Sequence, residues 1–163
     1  SKLIEKEIVS GVSYSKNESK ITISGIPDKP GISAKIFGLM ASNNINVDMI
    51  VQNISQDGVS ANMTFTVLTK DIELAKKTLE RNNNELNYTN LSTDSNIAKI
   101  SVIGMGMMSQ SGVAEKMFKT LADKQINILA ISTSEIKISV LIDKKYTDLA
   151  VKSLHSVYKL DNK

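Results

Sequence analysis

The sequence predicts an α+β protein built from two ferredoxin-like modules, each with the order βαββαβ. A stretch of strand, turn and helix at residues 21–47 is repeated at residues 100–128. The glycines of the two copies match, Gly25 with Gly104 and Gly31 with Gly112. In both copies a strand pair and a second amphipathic helix follow. A repeat of about 80 residues fits two small modules better than a solenoid.

The first repeat opens with a strand near residues 21–26, where apolar and polar residues alternate. A Gly/Pro turn follows, and we expect Pro30 at the first helical position, where its missing N–H costs nothing. Apolar residues then recur at the spacing of one helix face, which predicts a helix near residues 31–42. The free N–H groups of its first turn would point back toward the loop that contains Asp28. A helix start of this kind attracts a carboxylate.

The rest of the first repeat follows the same pattern. A strand near residues 46–54 leads to a hairpin turn at Asp57-Gly58 and a returning strand at residues 61–67. Asp71 is the predicted N-cap of a second helix. A fourth strand is predicted at residues 86–91, and residues 92–96 are the predicted linker.

The second repeat has the same order up to its second helix. Its predicted elements are a strand at 97–104, a helix at 112–123, strands at 127–133 and 135–142, and a helix at 146–157. Too few residues follow Tyr158 for a fourth strand, whereas residues 7–14 form a spare β-like run. We therefore expect this run to complete the second sheet. The first module, residues 16–94, is then inserted into the second, which takes residues 1–15 and 95–163.

Composition argues against several kinds of site. The chain has no cysteine and one histidine, His155, so neither a zinc-thiolate site nor a histidine-based metal centre is expected. Arg81 is the one arginine among 20 basic residues, and the lysines are spread along the chain, so no nucleic-acid partner is expected. No apolar run approaches the ~20 residues of a membrane span, which predicts no membrane association and a cytoplasmic location.

One glycine motif resembles part of a nucleotide-binding fingerprint but lacks the other features of that fingerprint. Gly104-Met105-Gly106 begins like a dinucleotide fingerprint, yet Ser109 stands at the third glycine position and no parallel βαβ unit is predicted. We interpret the motif as a turn. The sequence therefore predicts no cofactor, no metal and no catalytic residue.

Three segments resemble a known family. DKPG at residues 28–31, followed by NNINVDMIVQNIS at residues 43–55, resembles an ACT domain, a family of amino-acid sensors. ISTSEIKISVLI at residues 131–142 is similar to the C-terminal ACT module of aspartate kinases. The resemblance extends from Val9 to Leu160. The Lys-Phe-Gly-Gly signature of the kinase domain does not occur here, so we expect a non-catalytic regulatory region or β subunit.

The resemblance implies an effector site where two ACT sheets pair. Asp28 would accept hydrogen bonds from the ammonium of an amino acid, and N–H groups near Gly31 would bind its carboxylate. The other implied contacts are Pro30, Ser33, Gln52, Asn127 and Ile128. Without the resemblance, Asp28 and Gly31 are ordinary turn or capping chemistry.

Two details of sequence bear on this site. Gln52 stands between Ile50 and Ile54 on one strand face, where a buried amide is costly unless it is hydrogen-bonded. The loop of the second repeat has no acid at the position of Asp28, which argues against an equal second site.

The implied function is allosteric regulation of an aspartate kinase. Threonine or lysine would bind the paired modules of a homodimer and favour one state of the kinase catalytic domain or α subunit. Two alternatives stay open: a regulatory subunit of the acetolactate synthase type, which would sense valine, and a two-ACT transcriptional regulator. The segment at residues 131–142 favours aspartate kinase over both, and the scarcity of arginine further weakens the regulator.

Overall fold

The computed structural model describes residues 9–104 and 110–160. Its elements in chain order are β1 (Gly11–Ser15), β2 (Glu18–Pro27), α1 (Ile32–Ser42), β3 (Val47–Ile54), β4 (Ser60–Leu68), α2 (Ile72–Arg81), α3 (Asn83–Leu86), β5 (Asn90–Asp94), β6 (Ile97–Ile103), α4 (Gln110–Asp123), β7 (Ala130–Thr133), β8 (Lys137–Asp143) and α5 (Thr147–Val157). Single 3-10 turns, Thr69–Asp71 and Lys144–Tyr146, precede α2 and α5.

The chain divides into two compact units with the same strand order. The first unit is Asn17–Ser95, and the second takes the described residues on either side of it. The first sheet runs β3-β4-β2-β5 and the second β7-β8-β6-β1, with every pairing antiparallel. β1 therefore stands in the second sheet where β5 stands in the first. It pairs with β6 from Gly11 opposite Ile103 to Ser15 opposite Lys99.

This pairing confirms the predicted fold class. Two ferredoxin-like α+β modules are present, and the N-terminal strand completes the second sheet across the chain. The first module is accordingly inserted into the second.

Each unit buries one face of its sheet beneath its helices. In the first unit Phe65 and Ile36 are fully buried, and the ring of Phe37 packs edge-on against Phe65 with 5.3 Å between centroids. In the second unit Val140 and Met117 are likewise fully buried. The alternating strands and the apolar helix stripes read from the sequence are the segments that supply these cores.

Two strands of the first unit differ from the sequence-based prediction. β2 begins at Glu18, not at residue 21, because residues 18–20 continue the ladder with β4. Of the fourth strand predicted at residues 86–91, residues 86–89 lie outside the observed strand. Leu86 is fully buried at the end of the short helix α3, and Asn87 leaves that helix with a φ of 59°. The strand β5 therefore begins at Asn90 and takes in residues that the sequence assigned to a linker.

In the second unit the strand predicted at residues 127–133 is shorter, and β7 begins at Ala130. Residues 125 and 126 close the end of α4, whereas the Leu129 N–H already donates to the Leu141 carbonyl of β8 at 2.8 Å. Gln125 has a φ of 59°, and the Ile126 N–H donates to the Leu121 carbonyl at 2.9 Å. This is the left-handed helix ending that satisfies the last carbonyls of a helix. Asn44 ends α1 in the same way, with the Ile45 N–H donating to the Met40 carbonyl at 2.9 Å.

Among the described residues no helix is long and apolar enough to cross a membrane. Over the same residues, no cluster of three histidine, aspartate or glutamate side chains could hold a metal ion.

Tyr158 ties the end of α5 to the start of α4. Its hydroxyl donates to the Val113 carbonyl at 2.7 Å, and the Lys116 ammonium lies 5.9 Å from the ring centroid. Burial raises the pKa of Tyr158 to about 12. Because this pKa is above the ordinary value of 10.0, the stability that the protonated Tyr158 phenol contributes to the folded state is complete below pH ~10. It is lost as the pH rises through ~12.

We expect Tyr158→Phe to lower the free energy of unfolding by about 1 kcal/mol near pH 8, because one hydrogen bond is lost. The gap between wild type and variant should narrow at alkaline pH, since the variant has no phenol to ionise on unfolding. Urea unfolding of wild type and variant, near pH 8 and at alkaline pH, measures the two differences in the free energy of unfolding. Tyr14→Phe, at an exposed tyrosine, is the matched control and should change little. A gap that stays constant with pH would contradict the expectation.

Candidate functional site

The loop between β2 and α1 is the centre of the site predicted from the sequence. β2 ends at Pro27 and α1 begins at Ile32, and the residues between them form an exposed turn. Gly31 is the N-cap residue of α1 and has a φ of 95°, in the left-handed region that glycine populates readily. A Cβ at Gly31 would meet no atom within 4 Å. Backbone conformation, and not space, therefore favours glycine here.

Pro30 is not the first helical residue, so that prediction is wrong. Because Gly31 is left-handed, helical dihedral angles begin only at Ile32, and Pro30 lies one residue before the N-cap. Its ring fixes the backbone of the turn, and not that of the first helical turn.

The start of α1 has no side-chain cap. The N-cap is a glycine, and the first turn contains no acidic residue. The Lys35 N–H donates to the Gly31 carbonyl at 3.0 Å and begins the helical ladder. The N–H groups ahead of it, including that of Ser33, are those that every helix leaves without an intrahelical partner. With the positive end of the helix dipole, they make this end of α1 suited to a carboxylate.

Asp28 stands in the same turn with an exposed side chain and does not cap the helix. Its backbone is fixed, because the Asp28 N–H donates to the Val59 carbonyl at 3.0 Å. The loop thus presents an acceptor carboxylate and a set of N–H donors within a few residues of one another. These two groups are complementary to the ammonium and the carboxylate of an α-amino acid.

Gln52 is not the costly polar intrusion that the sequence indicated. It lies on β3, the outer strand of its sheet, opposite Met63, and it is exposed. Its neighbours on the same strand face, Ile50 and Ile54, are 49% and 65% exposed. The amide is therefore free to contact a ligand without a burial penalty.

Asn127 and Ile128 belong to the second unit, in the segment that joins α4 to β7. Asn127 is exposed, and Ile128 is partly buried against the second core. The first unit therefore carries five of the seven predicted residues, and the second unit carries these two.

Sequence reasoning missed the contact between the hairpin of Asp57 and Val59 and the loop of Asp28. It assigned Asp57-Gly58 to a hairpin turn, which is confirmed, but the pattern does not show that this turn contacts the loop of Asp28. An aspartate followed by glycine, with a serine three residues after the aspartate, is a signal for a turn in which the aspartate side chain accepts backbone hydrogen bonds. The contact itself depends on how β2, β4 and β3 pair.

Comparison with known proteins identifies the class to which both units belong. The family model described as ACT domain matches residues 15–82 and 100–158. Those two segments fall on the two repeats. The chain therefore belongs to the ACT domain family.

The relatives narrow the class. The chain is 50% identical over 158 residues to the aspartokinase of Helicobacter pylori, covering 97% of this chain and 38% of the relative. It is 46% identical to the aspartate kinase of Pseudomonas fluorescens, with the same coverage. The chain thus spans about two-fifths of the length of these curated relatives.

Solved structures agree. A chain from the crystal structure of aspartokinase alpha and beta subunits has a TM-score of 0.85 and 42% identity, with 93% of this chain and 99% of that chain covered. The regulatory subunit of aspartate kinase from Thermus thermophilus has a TM-score of 0.85 and 36% identity, with coverage of 92% and 98%. Within the ACT family, this chain is a tandem ACT region of the aspartokinase regulatory kind. The resemblance inferred from the sequence is confirmed.

Proposed function

We propose that the chain is the allosteric, amino-acid-binding regulatory part of an aspartate kinase. It acts as a region fused to the kinase catalytic domain or as a β subunit beside an α subunit, and it carries no catalytic residue of its own. The observation that supports this proposal most directly is the loop at residues 28–31, where an exposed acid stands beside an uncapped helix start in an ACT module.

The binding chemistry follows from the groups in the loop. The Asp28 carboxylate accepts hydrogen bonds from the effector's ammonium, and the N–H groups between Gly31 and Ser33 donate to its carboxylate. The Gln52 amide reaches the same effector from β3. Asn127 is the remaining polar contact of the proposal. The apolar contacts are Pro30 and Ile128.

Threonine or lysine is the proposed effector. Either one binds one arrangement of the paired modules more tightly than another and thereby shifts the kinase toward its less active state. Feedback inhibition of aspartate-family amino-acid biosynthesis is the result. The proposed location is the cytoplasm, where these amino acids are made.

The proposed assembly is a homodimer. Among the described residues β3 is an outer strand of its sheet and carries two large exposed apolar side chains, Ile50 and Ile54, and such edges are normally covered by association. Analytical ultracentrifugation at micromolar concentration with effector present tests this, and a monomer would count against it.

The functional test is aspartate phosphorylation by the enzyme that contains this chain, assayed with threonine, lysine and valine. We expect threonine or lysine to lower the rate and valine to leave it unchanged. Inhibition by none of the three would contradict feedback regulation. A response to valine alone would contradict the choice of effector.

A further inference from the structure

We propose that Asp57 is a positioning residue for the effector loop: it fixes the β3–β4 hairpin, and the hairpin in turn holds the backbone of Asp28. The proposal deepens the proposed function, since its binding readout rests on that function. Asp57 acts without touching the effector.

The first step of the argument is the hairpin itself. The Val59 N–H and the Ser60 N–H donate to Asp57 Oδ1 at 2.9 and 3.1 Å. The Ser60 hydroxyl lies 3.2 Å from each carboxylate oxygen. The Gly58 N–H donates to the Ser55 carbonyl at 3.0 Å, and Gly58 has a φ of 73°. One carboxylate thus orders the backbone on the β4 side of the turn.

The ionised form of Asp57 is the one these contacts favour. The hydrogen bonds from the Val59 and Ser60 backbone hold the pKa of the Asp57 carboxyl below its ordinary value. Because the side chain already accepts from these donors, it is occupied in the turn and is a poor acceptor for an effector ammonium. Both carboxylates are exposed, but the Asp57 carboxylate is engaged by the hairpin, whereas that of Asp28 does not cap the helix beside it.

The second step joins the hairpin to the loop. The ladder between β2 and β4 ends at Pro27 opposite Ser60. Proline has no N–H to donate. The next donor along the chain is the Asp28 N–H, which donates to the Val59 carbonyl at 3.0 Å. This hydrogen bond therefore connects the β3–β4 hairpin to the effector loop at the point where β2 ends.

The two steps share one residue. Val59 donates its N–H to Asp57 and accepts the Asp28 N–H at its carbonyl, so the peptide groups on both sides of its Cα are held. Removing the Asp57 carboxylate frees the hairpin side of Val59. The effector must then order the Asp28 backbone itself, and ordering one residue weakens binding by about tenfold, or ~1.4 kcal/mol.

The test compares Asp57→Ala with Asp57→Asn by calorimetric titration of the full chain with threonine and with lysine. Asparagine keeps an Oδ1 acceptor for the two backbone donors but has no charge. We expect the dissociation constant to rise about tenfold in Asp57→Ala and to stay within about twofold of wild type in Asp57→Asn. Equal losses in both variants would mean a direct ionic contact with the effector and would overturn the proposal, as would no loss in either.

Asp143→Ala is the matched control. Asp143 Oδ1 accepts the Lys145 N–H at 3.0 Å, so the variant removes a similar side-chain-to-backbone bond in the second unit. The dissociation constant should not change. A rise equal to that of Asp57→Ala would show a general loss of order and would contradict a specific role for Asp57.

A second readout needs no effector. Amide hydrogen exchange of Asp28, followed by NMR, should be at least about tenfold faster in Asp57→Ala and unchanged in Asp57→Asn. The Thr69 N–H, which donates to the Asn17 carbonyl at 2.8 Å in the same unit, should exchange at its wild-type rate. Unchanged exchange of Asp28 in Asp57→Ala overturns the proposal. If no amino acid binds the wild type, the proposed function fails and this measurement still decides the role of Asp57.

Discussion

Asp28→Ala is expected to abolish amino-acid binding and to leave the fold intact. The variant removes the acceptor for the effector's ammonium, whereas an exposed turn residue contributes within about 0.5 kcal/mol to stability. Binding to the native state alone raises the free energy of unfolding by ~2.7 kcal/mol when free ligand is 100 times its dissociation constant. The rise in melting temperature with threonine or lysine should therefore be large in wild type and absent in the variant.

Two controls make this result specific. Asp28→Asn keeps the size of the side chain and removes its charge, so it should also lose the thermal shift. Asp148→Asn changes an acid whose side chain is 95% exposed in the second unit, and it should keep the shift. An undiminished shift in Asp28→Ala would move the site to another part of the molecule.

Asn127→Ala is expected to reduce the thermal shift without abolishing it. The variant removes one hydrogen bond to a charged group, which is worth roughly 1.5 to 3 kcal/mol. Asn127 follows the left-handed ending of α4 and is exposed, so the fold should tolerate the change. A shift equal to that of wild type would remove Asn127 from the site.

Deleting residues 1–15 should unfold the second unit and leave the first unit folded. The deletion removes β1, exposes the edge of β6 along five paired positions and uncovers the core that Val12 helps to close. The first unit keeps all four of its described strands, because β1 belongs to the other sheet. It therefore serves as the internal control within the same molecule.

Hydrogen exchange with mass spectrometry measures this outcome by segment. We expect β6, β7 and β8 to lose protection and β2, β4 and β5 to retain it. If the shortened chain kept its melting temperature and the protection of β6, the N-terminal strand would not be needed to complete the second sheet.

The fold was predictable because its information is local and repeated. The glycines and apolar stripes recur in both copies, and counting strands left the second sheet one strand short. The fourth strand of the first unit was misplaced because a short apolar run does not distinguish strand from helix. Leu86 is buried at the end of a four-residue helix, and left-handed Asn87 follows it. The position of this short helix depends on tertiary packing.

The site was predictable only in part. The turn at Asp28 and Gly31 follows from residue chemistry, but the left-handed φ of Gly31 moves Pro30 out of the helix. Gln52 looked buried because its strand neighbours are isoleucines, whereas β3 is an outer strand. The bond from Asp28 to Val59 links residues that are far apart in sequence, so only the pairing of the strands reveals it.

The most direct test of the amino-acid sensor is calorimetric titration of the purified chain with each of the twenty amino acids. We expect saturable binding of threonine or lysine, with no saturable heat from the same amino acid added to Asp28→Ala. If no amino acid gives saturable heat with the wild-type chain, the account of this chain as an amino-acid sensor is contradicted.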